Sequence, residues 1–160
     1  DEEFNRAFAR FKEIADRKVE IGEAELRAII EDETQPRPDD MVELVSLHVS
    51  GGNDVTPTAS VTLRTNGSER TYEGKGDGMV HASFAAIKQA FDIDEARLVD
   101  YRVVPVTSGA DAMAEINVVI RVGDQTFAGR AVNTDVVEGS AFAFVEAMNK
   151  AARVRSAPTR

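Results

Sequence analysis

The segment from residue 43 to 92 recurs at residues 100 to 149, and this duplication limits the possible folds more than any other feature of the 160-residue chain. The first copy runs Leu44-Val45-Ser46-Leu47-His48-Val49, turns at Gly51-Gly52-Asn53-Asp54, continues Ala59-Ser60-Val61-Thr62-Leu63-Arg64, and ends in an apolar stretch from Val80 to Phe91. Gly52 is matched by Gly109, Asp54 by Asp111, Val61 by Val118, Leu63 by Ile120 and Arg64 by Arg121, each 57 positions later. After a two-residue contraction at the hairpin, Thr71-Tyr72-Glu73-Gly74 matches Thr126-Phe127-Ala128-Gly129. The 57-residue offset then returns for Val80, Ser83, Ala86 and Ala90 against Val137, Ser140, Ala143 and Ala147. A period this long, present twice, predicts a duplicated supersecondary unit with pseudo-twofold symmetry; a solenoid needs three or more stacked copies.

Within each copy the apolar period is 2 and then 3.6, which reads as three strands followed by a helix. Along the first strand Leu44, Ser46 and His48 fall on one face and Val45, Leu47 and Val49 on the other. Asn66-Gly67 and Gly123-Asp124, each between alternating runs, are hairpin-turn dipeptides. The helices, about 79 to 91 and 136 to 151, place Val80, Phe84, Ile87 and Phe91, and Val137, Ala141, Phe144 and Met148, on apolar faces. The expected fold is therefore α+β: two pseudo-symmetric βββα units with helices packed on antiparallel sheets. Ahead of them, Phe4, Ala7, Phe8, Phe11, Ile14 and Ala15 form the apolar stripe of a docking helix over about residues 2 to 17. A second short helix near Gly22-Glu23 buries Leu26, Ile29 and Ile30, and Thr34-Gln35-Pro36-Arg37-Pro38-Asp39-Asp40 stops it. The expected organisation is a helical linker subdomain over 1–40, a two-unit domain over 41–152 with units 41–95 and 96–152, and a flexible tail over 153–160.

There is no cysteine, which rules out a disulfide framework and a thiolate metal site. The net charge is −9, and residues 1–40 carry seven bases against thirteen acids. A nucleic-acid partner needs a clustered basic face, and only the tail Lys150, Arg153, Arg155 and Arg160 offers one, so none is expected. No stretch approaches the roughly 20 apolar residues of a membrane helix, and the first residues lack a secretory pattern, so the expectation is a cytoplasmic protein without a membrane partner.

Two stretches could carry binding chemistry. Gly74-Lys75-Gly76-Asp77-Gly78-Met79 leads from a strand into a helix, where glycines and unpaired first-turn amides could hold a carboxylate or phosphate. The alternative is a plain strand-to-helix turn with Asp77 near the N-cap. The second copy has Ala131-Val132-Asn133-Thr134-Asp135-Val136 there, without the glycines. Ser108-Gly109-Ala110-Asp111-Ala112-Met113-Ala114 is rich in small residues, reading either as room for a ligand or as a turn around Asp111. Tyr101 lies on a strand whose Leu98, Val103 and Val106 read as buried, which makes it a core tyrosine with a satisfied hydroxyl. Catalysis has little support: His48 and His81 stand in unlike contexts, with no metal-binding spacing, and no serine has an evident base. His81 reads as a rim or surface residue.

Taken together, several segments resemble the C-terminal part of α-isopropylmalate synthase, a region shared with citramalate synthases. They are Phe8-x-x-Phe11-Lys12-x-Ile14-Ala15-Asp16-Arg17-Lys18, Gly74-Lys75-Gly76-Asp77-Gly78, Leu98-Val99-Asp100-Tyr101, Ser108-Gly109-Ala110-Asp111-Ala112 with Ala114, and Gly129 through Asp135 to Ser140. The resemblance covers nearly the whole chain and implies a linker followed by an allosteric, dimer-forming domain. It implies a fragment without catalytic residues or its own cofactor, whose parent is an acyltransferase with a TIM barrel using a divalent metal and acetyl-CoA. The partners implied are a homodimer mate, the catalytic barrel, and leucine as feedback effector. Isoleucine, as in a citramalate synthase, is the alternative effector, and a purely structural dimerisation module is the alternative role. By similarity Gly76, Asp77, Gly78, Val80 and His81 lie on one side of the amino acid. Leu98, Tyr101, Pro105, Ala112 and Ala114 line the other, and Asp135 is a further candidate. The chain departs from the family pattern at Met79, where proline is common, and at His81, where a small residue is usual.

Overall fold

A computed structural model describes residues 2–16, 41–107 and 112–156. The chain divides into two units, Asp1–Arg37 and Pro38–Arg160. The first contributes helix α1 (Glu2–Asp16), which carries Glu2 and Glu3 in its first turn, where the helix dipole favours acids. Phe4 and Phe8, one turn apart, stack with ring centroids 6.5 Å apart and remain largely exposed. The expected second helix near Gly22 and the linker 34–40 lie outside the described residues, as do Gly109 and Asp111 of the small-residue turn.

In the second unit, β1 (Glu43–Gly52), β2 (Val55–Thr65) and β3 (Ser68–Lys75) form one antiparallel sheet and lead into α2 (Met79–Lys88). The same order follows with β4 (Arg97–Pro105), β5 (Ala114–Val122), β6 (Gln125–Asn133) and α3 (Val136–Ser156). The expected α+β pair of βββα units is thus the observed fold. No helix among the described residues is long and apolar enough to cross a membrane.

Both β2–β3 and β5–β6 close through two-residue turns. Asn66 and Gly67 have φ of 52° and 81°, the pair of positive values of a type I′ turn, whereas at Gly123-Asp124 only the glycine is positive, at 62°. The turns are equally long, so the two ladders share one register at an offset of 57. Leu63 pairs with Arg70 as Ile120 pairs with Phe127, and Ala59 with Gly74 as Ile116 with Ala131. The expected contraction of the second hairpin is therefore not present. What has moved is the glycine, from Gly74 to Gly129, by two residues. Two residues is one full pleat, so the glycine still faces the helix. A Cβ at Gly74 would lie 2.5 Å from Ala82 O and Ala86 N, and one at Gly129 would lie 1.7 Å from Ala143 O.

The first strands differ more from the constant offset. Leu44 pairs with Leu63 and Leu98 with Ile120, so β1 and β4 are related by 54 positions. The connection accounts for the difference: two residues, Asn53 and Asp54, join β1 to β2, whereas residues 106–113 join β4 to β5. Each first strand has a bulge at the same place, skipping Val45 in one and Val99 in the other. The extra residue resets the alternation. Leu44 therefore faces the core together with Leu47 and Val49, in place of the strict two-residue alternation the sequence suggests.

The core lies between the sheets and helices α2 and α3. Val61, Ile87, Ile116, Val118, Ile120 and Met148 are fully buried, each contributing on the order of 1.5–3 kcal/mol relative to exposure. Phe84 of α2 stacks on Phe144 of α3 at 4.2 Å with planes 10° apart, joining the two halves. Val42, just before β1, is held by the Asn149 side chain: its N–H donates to Oδ1 at 2.9 Å and its carbonyl accepts from Nδ2 at 2.8 Å. Ala96, the counterpart of Val42 before β4, has its carbonyl bound by Lys88 Nζ at 3.0 Å. α3 runs to Ser156, five residues past its expected end, and the Arg155 guanidinium pairs with Glu95. Residues 153–156 of the expected tail are thus helical.

Candidate functional site

The two helix starts are built from equivalent positions with different chemistry. Before α2, the Gly76 N–H donates to the Pro57 carbonyl at 3.3 Å, which folds the chain back under the first turn. A Cβ at Gly76 would come within 2.8 Å of Ala82 N and His81 Cβ, so this close approach requires glycine. Gly78 is the N-cap, with φ −145° and ψ 171°, and no side chain caps the helix. That conformation suits any residue, and a Cβ at Gly78 would meet nothing within 4 Å. Glycine here leaves the first-turn amides uncovered, with the partial positive charge of the helix end. Asp77, expected near the cap, precedes it and points its carboxylate to no first-turn amide; like His81, it is exposed.

Before α3 the position equivalent to Gly78 is Asp135. Its Oδ1 accepts the N–H of Val137 at 2.8 Å and of Glu138 at 3.2 Å, while its own N–H donates to Asn133 Oδ1 at 2.8 Å. One helix start is closed by its own carboxylate; the other is open.

A cleft of about 210 Å³ separates the start of α3 from β1. Leu44, Leu47 and Val49 form its strand wall, and Asp135, Val137, Glu138 and Phe142 its helix wall. Transposed by the repeat, the strand wall becomes Leu98, Tyr101 and Val103, and the helix wall Gly78, Val80, His81 and Ala85. Five of these, Gly78, Val80, His81, Leu98 and Tyr101, are among the residues the resemblance singles out.

Other contacts group the sequence candidates as follows. Gly76 underlies His81. Pro105 and Ala114 are cross-strand partners at the far end of β4, and Ala112 is half-buried just before β5. The Tyr101 ring meets Phe84 edge-on at 6.4 Å, one helical turn beyond Val80, and its hydroxyl is 2.7 Å from Ser140 Oγ. The satisfied hydroxyl agrees with the sequence reading, but the expected burial of its neighbours does not hold. Leu98 and Val103 are 37% and 41% exposed, whereas their β1 counterparts Leu44 and Val49 pack against the core. Asp135 lines the β1–α3 cleft, where none of the other candidates is found. The walls of that cleft were not singled out from sequence, although the repeat, carried through residue by residue, would have marked them. Among the described residues no three His, Cys, Asp or Glu side chains converge as a metal site.

Residues 20–152 match the LeuA allosteric (dimerisation) domain. The chain belongs to that family. It is 44% identical over 151 residues to a 2-isopropylmalate synthase of Acidimicrobium ferrooxidans, covering 94% of this chain and 29% of the relative. It is 43% identical over 150 residues to the enzyme of the same name from Nostoc, covering 92% and 28%. The Aquifex aeolicus 2-isopropylmalate synthase is 38% identical over 151 residues, covering 94% and 29%. The chain therefore spans under a third of the length of the curated relatives it matches.

Proposed function

We propose that this LeuA-type domain is the leucine-responsive regulatory part of a 2-isopropylmalate synthase, self-associating as a homodimer and binding the end-product amino acid between β4 and the start of α2, the place that the repeat matches to the β1–α3 cleft. The observation that carries the reading is the uncapped α2 terminus at Gly78, which the repeat matches to Asp135 of the β1–α3 cleft, as it matches Leu98 and Tyr101 to that cleft's strand wall. A free amino acid needs donors for its carboxylate, an acceptor for its ammonium and an apolar pouch for its side chain. The first-turn amides of α2 supply the donors, Asp77 or a loop carbonyl the acceptor, and Val80, Leu98 and Tyr101 the pouch. Pro105, Ala112 and Ala114 extend the strand side. The acyl-transfer chemistry belongs, on this reading, to the part of the relatives that lies outside this chain.

Inhibition requires leucine to bind the inhibited arrangement more tightly than the active one, by a coupling of about 1–3 kcal/mol. Titration calorimetry with leucine, isoleucine and valine tests the proposal. Saturable heat with leucine as the tightest ligand supports it, and isoleucine as the tightest ligand moves the assignment to a citramalate synthase. Silence with all three leaves a structural dimerisation module.

A further inference from the structure

Tyr101 is part of a closed set of four side chains drawn from three elements. Its ring stands edge-on to Phe84 of α2, with planes 78° apart, and Phe84 is stacked on Phe144 of α3. Ser140, one helical turn before Phe144, completes the circuit through its 2.7 Å bond to the Tyr101 hydroxyl. Ser140 is fully buried. The other half has no equivalent tie. There the corresponding residues are Leu47, Ala141, Ile87 and Ser83, and the Ser83 hydroxyl donates to its own helix at Met79 O, 2.7 Å away. The wall of β4 is thus tied by a side-chain hydrogen bond at its centre, whereas that of β1 is held there by packing and is hydrogen-bonded to α3 only ahead of the strand, at Val42.

We infer that Ser140 is a positioning residue for the effector cleft: by holding the Tyr101 hydroxyl it sets the depth of the apolar pouch, and thereby separates branched aliphatic side chains that differ only in where they branch. The inference rests on the reading of the β4–α2 cleft as the effector site. A fixed aromatic wall penalises a misplaced methyl group, because a well-packed pocket can discriminate one methylene by roughly ten- to two-hundredfold. A wall free to shift accommodates the misplaced group and loses part of that discrimination.

The test is calorimetry with leucine, isoleucine and valine on the unmodified chain, Tyr101→Phe, Ser140→Ala and the double variant. Each single change is expected to move the leucine-to-isoleucine ratio of Kd values toward one by roughly three- to tenfold, the range set by one net hydrogen bond. The double variant is expected to go no further, since both changes break the same bond. Tyr101→Phe removes a single oxygen from a half-buried ring, so it carries the test even if Ser140→Ala unfolds. An unchanged ratio, equal weakening of all three ligands, or additive effects in the double variant overturns the inference. No heat from the unmodified chain with any of the three overturns the reading of the cleft, and this inference with it.

Discussion

At the start of α2 the residue that ends the strand turn is glycine, and at the start of α3 the same position holds an aspartate that binds two amides of its own helix. The two halves keep equal hairpins, a bulge at the same place in each first strand, and buried apolar residues along each middle strand, Ala59, Val61 and Leu63 in one and Ile116, Val118 and Ile120 in the other. They part where a ligand would be met. A duplicated unit can retain its ladders, which packing enforces, and still give its two helix ends opposite electrostatic roles. One end supplies its own anion, and the other has no side-chain cap. A second difference lies within the sheets: Glu115 is buried and paired with Arg130, whereas the first half has Thr58 and Glu73 in these places.

Six substitutions, arranged as four tests, probe this contrast, beginning with the largest effect. Arg130→Ala strands the Glu115 carboxylate in the protein interior and is expected to cost about 3–5 kcal/mol in urea unfolding. Glu73→Ala, on the exposed face of the other half, should cost under about 0.5 kcal/mol. Equal costs would mean that the buried pair does not distinguish the halves. Gly129→Ala forces a methyl group into the Ala143 carbonyl and should cost about 3 kcal/mol, more than Gly74→Ala, where the approach is less close. A reversed order in their denaturation midpoints would contradict the packing described for α3. Gly78→Asp gives α2 the cap that α3 has, in open space and at a compatible φ. It should change stability by only a few tenths of a kcal/mol while weakening leucine at least about thirtyfold, since a fixed carboxylate occupies the anion position. Full leucine affinity in that variant would place the effector elsewhere. The last test is Asp135→Ala, which removes a cap and should lower stability by about 1 kcal/mol in the same unfolding assay, with loss of several kcal/mol counting against a simple capping role.

Much of this arrangement was legible beforehand. The Asn66-Gly67 and Gly123-Asp124 turns have positive φ at the glycines, and the apolar stripes of α2 and α3 became the core, because each rests on local geometry that tertiary packing reinforces. The bulges at Val45 and Val99 left no trace in the residue types, yet they decide which side chains of β1 and β4 face inward. A constant spacing of 57 hid the shift to 54, because the insertion lies in a connection of small and polar residues. Leu98 and Val103 are apolar and still exposed, since what covers a strand's face is a property of the assembled fold and not of the strand. Of the site, the glycine loop and the Leu98 to Tyr101 strand could be named in advance. An aspartate just ahead of an apolar helix is an N-cap signal that Asp135 carries as well as Asp77, whereas the tie between Tyr101 and Ser140 is a contact across 39 residues that no local pattern encodes.

The pair of hydrogen bonds between Val42 and Asn149 has a mechanical consequence. Tension arriving along the backbone from residue 41 reaches Val42 before the first rung of the β1 ladder, Glu43 with Arg64. Both hydrogen-bonding groups of Val42 are tied to α3, so the load passes into the last helix, which belongs to the opposite repeat, before β1 can peel from its own sheet. A tug on the domain's entry point is thereby felt first on the far side of its internal symmetry.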